Sequence, residues 1–218
     1  KREIKLRDCA RFREKSQNWR PAGTRRNCAN RAGTAQIHAG AVSPGGGPHA
    51  QCVVPAPGGD TAYVCADGTT VGDLIDTSGD NSLSFPAGGE GVLDGSVTFG
   101  DGVDRIEMNA GSITGSVNQG AGADVFVIGG GEVGGTVQQA SGLDDFQMSG
   151  GAIQSLNQGD DLDAFFMSGG RIIDFFDDGD SAVMTGGRIG RVNMKLANNL
   201  FDMSGGTIDR NLVTGFGD

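Results

Sequence analysis

The chain has 218 residues, of which 40 are Gly, 6 are Pro and 37% are apolar, with a formal net charge of −10. Glycine is far above its usual share of roughly 7% yet shows no every-third-residue spacing, which excludes collagen, and no apolar run of about 18 residues is present to span a membrane as a helix. With only 2 His and 1 Tyr, chemistry that leans on those side chains has little to draw on, and the composition points to repetitive β structure.

Charge divides the chain. Residues 1–40 carry a formal +8 and residues 41–218 a formal −18, the mark of two joined segments. Residues 1–59 read as a basic and then Gly/Pro-rich N-terminal segment and linker, poorly ordered, with Arg25 and Arg26 adjacent but no apolar stretch for a secretory signal peptide. The acidic body argues against nucleic acid as partner, because phosphate contacts need clustered Lys and Arg. The four cysteines are Cys9, Cys28, Cys52 and Cys65. None forms a CxxC, and their spacing fits no zinc pattern. Cys52 and Cys65 flank the turn-rich stretch 55–60, so an extracytoplasmic disulfide joins that pair in one reading, and they stay reduced in the other.

Residues 60–218 read as repeats, clearest over 100–218. Pairs of small residues fall at Ala110/Gly111, Gly130/Gly131, Gly150/Gly151, Gly169/Gly170, Gly186/Gly187 and Gly205/Gly206, spaced 17–20 residues apart. Two positions before each pair stands Met108, Ile128, Met148, Met167, Met184 or Met203, and two earlier Ile106, Phe126, Phe146, Phe165, Ala182 or Phe201. After each pair come Ile113, Val133, Ile153, Ile172, Ile189 and Ile208. Three or four residues further on stand Val117, Val137, Leu156, Phe175, Val192 and Leu212. The F-x-M step has the period of a strand with one buried face, and Gly interrupts any helical reading. One coil cannot bury its own apolar face, but stacked coils place like residues over like. The prediction is an all-β, single-stranded parallel β-helix with coils of about 17–20 residues, right-handed because no hexapeptide repeat is present. Weaker coils precede it at 71–75, 83–85 and 93–97. Residues 215–218 begin another G-x-G-x-D corner, so the chain reads as truncated at its C-terminus.

The coil DxFxMSGGxIxGxV, clearest at 144–151, 163–170 and 201–206, resembles the passenger repeats of Gram-negative autotransporters, the pertactin-like and adhesin-like surface proteins. The resemblance covers roughly residues 88–218. It implies a secreted, cell-surface module displayed through the outer membrane of a Gram-negative bacterium, with an outer-membrane β-barrel expected downstream. A host or matrix protein or glycan is the implied partner, and adhesion or contact the implied function, with virulence as its setting.

Chemical readings are fewer. The acidic corners at 100–104, 120–124, 141–145, 159–163 and 177–180 partly match the calcium-binding nonapeptide of RTX β-rolls. Stacked carboxylates about 4.8 Å apart repel by roughly 1 kcal/mol per pair even at water-like dielectric, and Ca²⁺ relieves that. An RTX-like secreted protein is therefore the alternative function. Against it, the opposite corner lacks Asp and the later corners lose a glycine, which leaves a solvated, turn-favouring Asp row and no assigned metal or cofactor. A polysaccharide-active enzyme comes third. It would use the pairs Asp144/Asp145, Asp160/Asp161 and Asp177/Asp178, but these obey the repeat where a catalytic site should break it. No catalytic residue is assigned. Arg171, Arg188 and Arg191, near Lys195, read as neutralising neighbouring Asp columns, and Asn118/Gln119, Gln138/Gln139 and Asn157/Gln158 as a stacked amide ladder. Of the adjacent Phe175 and Phe176, only one can point inward; Phe176 is the candidate for an exposed contact or a corner filler.

Overall fold

The computed structural model describes residues 52–53, 57–177, 180–195 and 199–214. Cys9, Cys28, the Arg25 and Arg26 pair, both histidines and the corner fragment 215–218 lie outside the described residues. Within them the chain is an all-β solenoid of about seven turns. Sixteen strands join one continuous sheet, and every strand pairing is parallel. No helix among the described residues is long and apolar enough to cross a membrane.

Each coil has three faces. On the first, Tyr63, Leu83, Ile106, Phe126, Phe146, Phe165, Ala182 and Phe201 stand in register from coil to coil. Two residues on, the Met column follows in the same register, from Phe85 and Met108 to Met203. The second face stacks Leu93, Ile113, Val133, Ile153, Ile172, Ile189 and Ile208. The third stacks Leu74, Val97, Val117, Val137, Leu156, Phe176, Val192 and Leu212. The alternation is strict: Phe126 and Ile128 are fully buried while Val125 and Val127 look outward, half-buried. The weak coils at 71–75, 83–85 and 93–97 therefore belong to the same stack.

The small-residue pairs turn the chain from the first face to the second. At the pair Gly150 and Gly151, the second residue has φ +71°, and a Cβ on the first would sit 2.3 Å from the Gly129 carbonyl oxygen of the preceding coil. One glycine serves the left-handed backbone and the other serves the close approach between coils.

Phe175 does not occupy the third-face column. Ser155 pairs with Phe175 and Leu156 with Phe176, after a register shift that follows Ile153. The coil thus keeps four steps from Ile172 to its next core residue, as from Val133 to Val137, where its neighbour takes three. Phe176 is fully buried, with its ring 4.3 Å from that of Phe165. Phe175 faces outward beneath the Arg191 guanidinium, 4.3 Å from its ring centre. Phe176 is therefore core, neither an exposed contact nor a corner residue, because its ring completes an aromatic stack that solvent cannot replace.

The two ends differ. At the first, a disulfide joins Cys52 and Cys65, and the Val53 amide donates to the Val64 carbonyl at 2.8 Å in an antiparallel bridge. Cys65 follows Tyr63 by two residues, so the sulfurs close the end of the column that Phe85 and Met108 continue. At the other end, the column residues Met203 and Leu212 of the last described coil are exposed. Opening the disulfide releases a sequence separation of 13 and should cost about 2–3 kcal/mol. Urea melts with and without reductant check this: the midpoint falls on reduction, and a Cys52→Ser/Cys65→Ser chain shows no response to reductant.

Candidate functional site

The third corner, between the third face and the next coil's first face, gathers nearly all the chemistry the described residues offer. Its last residue forms a column: Asn81, Asp104, Asp124, Asp144 and Asp163 each precede the first strand of their coil. The sequence reading treats the Asp row as solvated; the structure buries these four carboxylates, at most 2% exposed. Each reaches back to the preceding coil. One oxygen of Asp104 accepts from the Asn81 amide at 2.6 Å, Asp124 from the Asp104 amide at 2.8 Å, Asp144 from Asp124 at 2.8 Å and Asp163 from Asp144 at 2.9 Å. The Asp180 side chain accepts from the Asp163 amide at 3.2 Å. Backbone amides at a corner have no strand partner, and these carboxylates supply one for each coil.

The second carboxylate oxygens of Asp104, Asp124 and Asp144 are buried without a hydrogen-bond partner. Beside them run Gln119, Gln139 and Gln158, all fully buried. The Gln158 amide donates to the Gln139 side-chain oxygen at 3.3 Å and to the Ala164 carbonyl at 3.0 Å, while the Gln119 amide donates to the Asp104 carbonyl at 3.2 Å. The amide ladder read from the sequence is thus formed by the second residue of each pair, with Asn118 and Gln138 outside. Gln119 and Gln158 each keep an orphaned carbonyl oxygen. The interior is therefore short of donors. A proton on a carboxyl turns one orphaned acceptor into a donor. Burial, the largest influence, pushes Asp124 up to about 7; the Asp104 amide opposes this and the charges of Asp144 and Asp104 add to it. Burial likewise carries Asp104 and Asp144 up to about 6.

A second buried acid behaves oppositely. Asp76 accepts from the Tyr63 hydroxyl at 2.7 Å. Burial raises its carboxyl, but hydrogen bonds from Tyr63, Thr61 and the Ser78 amide outweigh burial and hold it below its ordinary value. Burial and the Asp76 partner push the Tyr63 phenol to about 12.

The outer residues of the corner, Asp101, Asp160 and Asp161, are exposed. No group of three or more His, Cys, Asp or Glu side chains among the described residues converges to hold a metal ion. The corner carboxylates are divided between amide ladder and solvent. The same division separates one of the three carboxylate pairs: Asp144 is committed to the ladder, while Asp145 lies outside and accepts from Gln147 at 2.7 Å; Asp160 and Asp161 are both exposed, and Asp178 lies outside the described residues.

Between the exposed acids and the ladder stands one more column. Val103, Leu143 and Leu162 are 53%, 64% and 76% exposed, and Ala123 between them is exposed too. Bridges from Asp101 through Ala121 and Ser141 to Asp160 hold these corners in register. In the sequence this ridge is masked by the Asp and Gly of the corners; its sign there is an apolar residue just before each ladder Asp.

The arginines lie elsewhere, on the last coils. The Arg188 Nε–H donates to both carboxylate oxygens of Asp209, at 2.7 and 2.9 Å. Arg210 and Arg191 flank Asp174 at 3.1 and 3.8 Å, and Lys195 lies 3.5 Å from Asp177. These pairings accord with a neutralising role for Arg188 and Arg191; Arg171 is exposed one rung from Arg188. All these pairs are at least partly exposed and individually stabilise little.

Stacked coils, glycine corners and an interior carboxylate ladder define a parallel β-helix repeat protein. The chain matches no protein-family model, no curated protein and no solved structure.

Proposed function

We propose that this chain is a non-enzymatic contact module, the passenger-type portion of a protein displayed at the surface of a Gram-negative bacterium through its outer membrane. One observation carries the reading: the repeat is structurally self-consuming. Ladder aspartates hold amides of the preceding coil, corner glycines sit against the coil before, and Met and Phe fill the core. What remains outside is a long, regular surface suited to contact with a host or matrix protein or glycan. The Cys52–Cys65 disulfide favours an oxidising, extracytoplasmic setting.

The experiment uses antibodies against the folded chain on intact cells of the source organism. Labelling of intact cells, its loss after protease shaving, and weaker attachment of a deletion strain to matrix-coated surfaces are the expected results. An epitope reachable only after lysis overturns surface display, and unchanged attachment overturns the contact role.

A further inference from the structure

We propose that the corner ridge of Val103, Ala123, Leu143 and Leu162 docks an amphipathic, cationic α-helix of a partner protein, lying along the solenoid axis. This rests on the contact-module reading and assigns its surface. Nothing in the fold asks for apolar residues there. The corners are already fixed from inside: the ladder amides are held by carboxylates, the Gly102 amide donates to the Ala121 carbonyl and the Gly122 amide to the Ser141 carbonyl, each at 2.9 Å. The ridge side chains add nothing to that bonding, and three of the four expose more than half their surface. The apolar run is also bounded: the residue preceding Asn81 in the neighbouring coil is Asp80, whose carboxylate accepts from the Val103 amide at 2.9 Å.

Spacing and charge select the occupant. Coils stack about 4.8 Å apart. A helix presents a side chain on one face about every 5.4 Å turn, close to that repeat over four rungs. A strand repeats same-face side chains about every 6.7 Å and drops out of step by the second rung. The ridge is flanked by the exposed Asp101, Asp160 and Asp161 and by Asp145. Among the described residues of the four ridge coils, Arg105, paired with Glu107 at 3.5 Å, is the basic residue on this corner and the adjoining first face; Lys195, at the same corner of a later coil, lies 3.5 Å from Asp177. A second copy of this acidic body would bring like charge against like, which argues against self-association. A partner helix with Leu-type residues at i, i+3, i+4 and i+7 and flanking Lys or Arg meets both demands.

The test titrates the full chain into a fluorescent Leu/Lys peptide of helical period and into a scrambled peptide of the same composition. The expected result is binding of the periodic peptide alone, weakened at least tenfold by Leu143→Ser/Leu162→Ser and unchanged by Val71→Ser, a control at another exposed apolar site. Equal binding of the scrambled peptide, no binding of the periodic one, or wild-type affinity in the double variant overturns the proposal. Since cell-surface labelling and matrix attachment are read independently, either can hold while the ridge fails, which separates the two claims.

Discussion

Replacing Phe146 by Ala should cost about 4 kcal/mol of stability, the largest loss expected from a single side-chain truncation here. Phe146 is fully buried in mid-stack, with ring centres 5.5 Å from Phe126 and 5.7 Å from Phe165. Truncating a buried Phe costs about 3–5 kcal/mol through lost transfer energy and the cavity left behind, and two stacking partners place this site well within that range. The column contains its own comparison. Ala182 occupies the same position two rungs on and is fully buried. There the third-face column carries Phe176 in the coil below, its ring stacked on Phe165 at 4.3 Å. Volume missing from one face is supplied by another. Around Phe146 the third-face column carries Val137 in the coil below and Leu156 in its own coil, neither with a ring to fill the space, so the cavity stays. The check is the urea midpoint of Phe146→Ala against Phe166→Ala. The latter residue looks outward at 42% exposure and should lose no more than about 0.5 kcal/mol. Adding Leu156→Phe should return part of the loss. A Phe146→Ala chain within about 1 kcal/mol of the parent would mean that the coils relax into the space. Because each coil touches only its neighbours, a weakened central rung should also broaden the transition.

The same residues show how far a repeat is legible before its structure is seen. The Phe, Met and Ile columns were readable because each rung repeats an apolar residue at a fixed distance from a glycine pair, and those distances carry straight into the register. The assignment failed where two spacings were both allowed. A third-face core residue follows its isoleucine by three or four positions, so Phe175 and Phe176 both fitted, and only the register of the neighbouring coil decides between them. The Asp column failed for a different reason. Asp beside Gly is what any tight turn prefers, so the sequence alone does not separate a ladder carboxylate from a turn residue. The decisive sign was Asp at one position in four successive coils, Asp104, Asp124, Asp144 and Asp163. A residue serving only a turn tolerates Ser, Asn or Gly from coil to coil, whereas one that must accept an amide from the coil before needs an oxygen at a fixed reach. The apolar ridge beside it was hidden because single exposed apolar residues are ordinary on a surface; only stacking turns four of them into a strip.

The chain should be most stable near pH 4 and should lose stability as the pH rises from there through about 7. In the folded chain Asp104, Asp124 and Asp144 bind protons with values of about 6, 7 and 6, all above the ordinary 3.8 that the unfolded chain restores. A folded state that binds a proton more tightly than the unfolded one gains stability as protons become available. The contribution is complete below 3.8 and disappears as the pH climbs through the folded values. For Asp124 alone the displacement corresponds to about 4 kcal/mol, and because the three carboxyls share one row, their effects are not independent. Asp76 has the opposite sign: held below its ordinary value, it lends stability above 3.8 that is lost in stronger acid, which sets the lower bound of the optimum. Repulsion across the acidic body also weakens the fold at high pH, so a melting curve against pH needs a variant to isolate the ladder. Asp124→Asn is that variant. Asn81 already stands in the column with its side-chain NH₂ donating to the Asp76 carbonyl at 3.2 Å, so a donor is accommodated at this corner, although the Asn81 oxygen itself accepts nothing. The Asn oxygen can still accept from the Asp104 amide, and its NH₂ brings a donor to a site where the carboxylate oxygen has none. The variant should therefore be more stable than the parent at pH 8, match it near pH 4, and flatten the pH dependence between them. An Asp124→Asn chain less stable than the parent at pH 8, or a parent whose melting temperature rises from pH 5 to 8, would show that the ladder holds its carboxylates charged.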